Sequence, residues 1–79
     1  METKEVTECK NLFYILGRNE KINLLNESNL DDREKEILVM KHISGMTAKE
    51  MSEKLSVSVD AYNKMQQKVY KKLYAWLKH

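Results

Sequence analysis

Lys64, Lys68 and Lys71 recur at spacings of four and three, and Asn63 and Gln67 stand beside them at a spacing of four. On a helix this pattern gathers three cations and two carboxamides on one face. Such a face suits a nucleic-acid duplex: carboxamides pair with adenine edges, and lysines meet guanine or phosphate oxygens. Asp60, near the start of the same segment, would repel phosphates or accept a hydrogen bond from cytosine. It would equally serve as an acid favoured at a helix start by the dipole. Without a ligand, the same six side chains are a solvated helix surface.

Charge supports an anionic partner at this end of the chain. Residues 1–45 hold seven Lys/Arg against nine Asp/Glu, and residues 46–79 hold seven Lys against three acids. Residues 61–79 carry five lysines and no acid. A basic half on a chain of formal net charge +2 is an electrostatic footprint for phosphates or for an acidic protein.

Other chemistries find no residues to carry them. The chain has no Gly-rich phosphate loop and no paired ligand motif. Cys9, His42 and His79 do not share metal-ligand spacing, so neither a metal, a cofactor nor a catalytic group is expected, and an enzyme is not. Cys9 on an apolar stripe reads as a buried, inert thiol, and His42 near a helix end as a partner of the dipole. A single Cys excludes an internal disulfide framework and suits a reducing, cytoplasmic setting. No apolar run approaches the ~18 residues of a membrane span, and the N-terminus lacks the pattern of a secretory signal.

The elements that must hold these side chains are helices. Two Gly and no Pro in 79 residues argue against a strand-and-turn architecture. Val6, Cys9, Phe13 and Leu16 form one helical stripe, with Gly17 as its stop. Residues 18–29 read as a connector with one short helical turn. Asp31 or Asp32 then precedes Ile37, Leu38, Met40 and Ile43, and Gly45 ends that run. Thr47 followed by Glu50 is a capping box, opening a short helix with Met51 and Leu55 inward. Ser58 caps a long last segment whose stripe is Val59, Tyr62, Met65, Val69, Leu73 and Trp76. The expected fold is all-α, with four helices near residues 3–16, 31–44, 47–55 and 58–78. It is one domain, with residues 1–29 a helix and connector ahead of the region 30–79.

Two short helices joined by Ser56-Val57-Ser58, the second of them basic, outline a helix-turn-helix. Ser52 is small where the two helices cross, Ser56 occupies the turn position that favours φ > 0, and Val57 plugs the corner. Residues 30–73 resemble the DNA-binding domain of LuxR-type response regulators and region four of bacterial sigma factors. Leu30-Asp31-Asp32-Arg33-Glu34-Lys35-Glu36-Ile37-Leu38 is similar to the family's L-T-P-R-E-R-E-V-L. Gly45 to Ser52 is similar to G-L-S-N-K-E-I-A, Leu55-Ser56-Val57-Ser58 to L-G-I-S, and Val69 to Leu73 to I-Y-R-K-L. The recognition helix departs from the family at Asn63, where a Lys is usual, and at Gln66, where an apolar residue is usual.

The resemblance implies a transcriptional regulator that binds double-stranded DNA through the major groove. Its contact set here would be Thr47, Lys49, Ser58, Asp60, Asn63, Lys64, Gln67, Lys68 and Lys71. For Thr47 and Ser58 capping alone is the competing role. The rival implication is an interaction module that binds RNA polymerase or another regulator. A helix apolar on two faces needs two things to pack on. Tyr70 and Tyr74 therefore pack on the first helix or, with Phe13 and Leu77, form the interface of a homodimer.

Overall fold

Thr3 starts the first helix, its Oγ1 accepting from the Val6 N–H at 3.4 Å. In the computed structural model, which describes residues 3–78, α1 spans Lys4–Ile15. Val6, Cys9 and Phe13 form its buried stripe, as their spacing requires. Leu16 ends it, and Gly17 adopts ordinary extended angles, φ −74° and ψ 171°. Gly17 is therefore not a left-handed stop. It is the N-cap of a further helix, its N–H donating to Glu20 Oε1 at 3.0 Å.

That helix, α2 (Arg18–Glu27), replaces the expected connector. Its stripe is thin, with only Leu25 fully buried and Leu24 partly so, which is why periodicity shows only a turn there. Its end is tied back by Ser28, whose hydroxyl donates to the Leu25 carbonyl at 2.7 Å. The described residues thus form five helices and no strand. The all-α class stands, with one helix more than the four expected.

The remaining boundaries follow their capping chemistry. Asp31 accepts from the Glu34 N–H at 2.8 Å while Glu34 accepts from the Asp31 N–H at 2.9 Å, and α3 (Asp32–His42) begins. Gly45 turns the chain with φ +68°. Thr47 and Glu50 form a second reciprocal box at 3.0 and 3.2 Å and open α4 (Ala48–Lys54). Ser58 Oγ accepts from the Ala61 N–H at 3.1 Å and starts α5 (Val59–Leu77).

α5 is the axis of the molecule. α1 packs along one side of it and α4 across its first turns, with α3 completing the core. Tyr62, Val69 and Leu73 are buried with Ile37, Met40 and Met51, while Met65 and Leu55 are half-buried. Val59, placed at the start of the inward stripe by its spacing, is 41% exposed. Trp76 packs against the core while half-exposed.

Candidate nucleic-acid interface

The turn between α4 and α5 sets the direction of everything that follows it. Ser56 takes φ +59°, its N–H donates to the Glu53 carbonyl, and the Val57 N–H reaches back to the Ser52 carbonyl at 3.0 Å. These are the paired bonds of a Schellman motif, with Ser in the left-handed place usually given to Gly. Val57 then packs on the core, Ser52 is buried at 3% exposure, and Tyr62 Oη donates to Met51 Sδ at 3.1 Å. Burial pushes the Tyr62 phenol up to about 12.

With Tyr62, Gln66, Val69, Tyr70 and Leu73 held inward, the helical period turns Asp60, Asn63, Lys64, Gln67, Lys68 and Lys71 outward. All six are exposed. Among the described residues, none of them makes a hydrogen bond or an ion pair. Lys72, one position further round, differs: its Nζ is 2.9 Å from Glu34 Oε1, and that carboxylate raises its pKa. Lys71 lies near enough to Glu5 to help lower the carboxyl, behind the larger effect of backbone and Thr3 hydrogen bonds.

Thr47, Lys49 and Ser58 are also exposed, at or near the N-termini of α4 and α5. The two hydroxyl oxygens accept backbone N–H groups as caps; the Ser58 hydrogen is left to donate outward, whereas the Thr47 hydroxyl is engaged with the Glu50 carboxylate. Capping and a phosphate contact are therefore compatible at Ser58, while Thr47 must turn its hydroxyl from Glu50 to make one. Glu50 is held below the usual carboxylate range by the Thr47 backbone N–H and hydroxyl.

The side of α5 next to this face is occupied by α1. Val6 and Lys10 line a polar groove of about 230 Å³ with Asn63, Gln66, Gln67 and Tyr70. Asn63 and Gln67 thus flank α1, whereas Lys64, Lys68 and Lys71 stand further round α5. Gln66, a departure from the family pattern, is 8% exposed and donates from Nε2 to the Tyr70 hydroxyl at 3.4 Å. That hydroxyl is 2.6 Å from His42 Nε2, and the His42 ring stacks on Phe13 at 4.3 Å between centroids.

This buried polar chain escaped the sequence reading, because its members come from α3 and α5 and meet only in space. It also corrects three expectations. His42 is not a cationic dipole partner: burial, with Lys21, Lys41 and Lys10 nearby, lowers its pKa to about 4. The α3 C-terminus takes its cation from α2 instead, as Lys21 Nζ donates to the His42 carbonyl at 3.2 Å. Phe13 and Tyr70, offered as interface residues, are both 0% exposed inside a single chain, where α1 and α5 pack together. Tyr74 and Leu77 remain at the surface, half-buried and 38% exposed respectively.

Cys9 is buried as expected, its Sγ donating to the Tyr70 carbonyl at 3.4 Å, and burial raises its pKa to about 11. His79 lies outside the described residues. No group of His, Cys, Asp and Glu that could hold a metal occurs among the described residues. Nor is any described helix long and apolar enough to cross a membrane.

No curated protein and no solved structure matches the chain. One family model, described as "Sigma-70, region 4", matches residues 28–73, which is more than half of the 79. The matched span holds α3, the α4–turn–α5 unit and most of the exposed basic face. Of the two families that the sequence resembles, the match is to the sigma one. The chain belongs to the sigma-70 region 4 family of helix-turn-helix modules, which engage DNA or RNA polymerase.

Proposed function

We propose that the protein is a sequence-specific DNA-binding regulator of transcription. α5 enters the major groove by its N-terminal half, and α4 lies across it against the backbone. The observation behind this is the uncommitted polar face on α5. Five cationic and amide side chains are exposed on the helix that follows the turn, and none has a hydrogen-bond or ion-pair partner among the described residues. Lys64, Lys68 and Lys71 meet phosphates and supply salt-dependent affinity, while Asn63 and Gln67 read base edges. Ser58 donates to a phosphate from its capping position, Thr47 does so by turning its hydroxyl from Glu50, and Lys49 adds a charge beside them. Asp60, at the tip of α5, accepts from a cytosine amino group.

Gel shifts on mixed genomic DNA at two salt concentrations test this. Lys64→Ala and Lys68→Ala are expected to weaken binding to every sequence. Each should also reduce the slope of log K against log salt by about 0.9, the yield of one counterion released. Asn63→Ala and Gln67→Ala are expected to cost roughly 1–3 kcal/mol on the preferred site and little on random DNA. All four side chains are exposed, so the variants should keep the wild-type melting curve. Absence of any DNA affinity at low salt would transfer the face to RNA polymerase or another regulator as its partner.

A further inference from the structure

α1 precedes the span that the family model matches, yet it packs on α5 beside the exposed polar face. Val6 and Lys10 of α1 share a polar groove with Asn63 and Gln67, the two carboxamides on that edge of the face. The helical period sets Thr7, Lys10 and Tyr14 in one row along this flank of α1, at spacings of three and four. Thr7 and Tyr14 are exposed, and Lys10 is half-buried, its Nζ 5.9 Å from the centre of the Tyr70 ring. The row holds a hydroxyl, an ammonium and a phenol, and no acid. Both acids of α1 lie on its other flank, toward the C-terminal end of α5. There Glu8, through a hydrogen bond, and Glu5 raise the pKa of Tyr74. α1 thus sorts its charges, with donors toward the N-terminal half of α5 and carboxylates away from it.

A helix with its side chains is about 10–12 Å across, and the major groove is about 12 Å wide. With α5 in the groove, a second helix packed about 8–10 Å from it has no room to enter. What borders the groove on that side is a sugar–phosphate strand. We propose that α1 adds a phosphate contact to the interface: Lys10, with Thr7 and Tyr14 in its row, meets the strand that borders the groove next to Asn63 and Gln67. This rests on the DNA-binding reading of α5 and extends it to a helix outside the family-matched span. Phosphate contacts fix register and carry no sequence information. Lys10 therefore adds the same affinity on every sequence, and discrimination stays with the side chains of α5.

Filter-binding titrations of the full chain on a random-sequence duplex, between about 50 and 200 mM salt, test the contact. Lys10→Gln keeps a stem over the Tyr70 ring and removes the charge. It should lower the slope of log K against log salt by about 0.9, so its deficit against wild type should shrink about 3.5-fold across that range. Lys10→Arg should keep the wild-type slope. Thr7→Lys, at an exposed position, should steepen the slope by about 0.9 and tighten binding at low salt. That gain is independent of any effect Lys10→Gln has on folding. If wild type binds while Lys10→Gln keeps its slope, or while Thr7→Lys gains nothing, the α1 contact is overturned and α5 stands as the reader alone. Wild type without affinity at low salt would overturn both.

Discussion

At the scale of single residues, the decisive group is His42. Its Nε2 meets the Tyr70 hydroxyl at 2.6 Å, and its ring lies on Phe13. Because Gln66 already donates to that hydroxyl, the tyrosine proton points to an unprotonated imidazole nitrogen. The folded state therefore favours neutral His42, with a pKa near 4 against 6.5 for the free side chain. Between those values the unfolded chain binds the extra proton, so stability is intact above pH 6.5 and falls as the pH drops toward 4. The slope is at most about 1.4 kcal/mol per pH unit. Urea melts of wild type and His42→Gln at pH 7, 6 and 5 should show this excess slope in wild type alone. Equal slopes would remove His42 from the acid response.

At the scale of elements, the turn between α4 and α5 combines a cap and a strained residue. Ser56 holds φ +59° without being glycine, a conformation costing roughly 1 kcal/mol for a residue with a Cβ. Ser56→Gly should therefore raise stability by about 0.5–1 kcal/mol, less the entropy glycine adds to the unfolded chain. A lower denaturant midpoint for this variant would contradict the strain. Thr47→Ala acts in the opposite direction. It removes the oxygen that accepts the Glu50 N–H and should cost about 1 kcal/mol. If Thr47 also donates to phosphate, the same variant loses DNA affinity at conditions where it remains fully folded.

At the scale of the whole molecule, the family-matched span is not self-sufficient. α1 lies before residue 28, yet it packs on α5: its Cys9 Sγ donates to the Tyr70 carbonyl, its Phe13 stacks on the His42 ring that meets the Tyr70 hydroxyl, and Tyr70 is 0% exposed. Without α1 the aromatic face of α5 would meet water. A fragment of residues 28–79 should consequently unfold without a cooperative transition or aggregate, as followed by circular dichroism against temperature. Phe13→Ala in the full chain should cost about 3–4 kcal/mol through the cavity it leaves. That is a large share of the stability a domain of this size commands. A fragment that melts as cooperatively as the full chain would show α1 to be an accessory.

Much of this was legible in the sequence, because it depends on neighbours along the chain. The capping box at Thr47–Glu50, the Ser58 cap and the period of Tyr62, Val69 and Leu73 are local signals. They determined the all-α class, the helix-turn-helix and the exposure of Asn63, Lys64, Gln67, Lys68 and Lys71. α2 was missed because one fully buried Leu leaves too faint a stripe, and because glycine, commoner just past a helix end, here caps a helix start at Gly17. Which face of α5 is covered was decided by tertiary structure alone. Tyr70 and Tyr74 share a helical stripe, and spacing cannot say whether α1 or another molecule lies on it. Only once α1 is docked does Phe13 go inside, does His42 lose its proton, and does Ile15 stay outside. Burial, the cause of all three, belongs to pairs of elements distant in the chain.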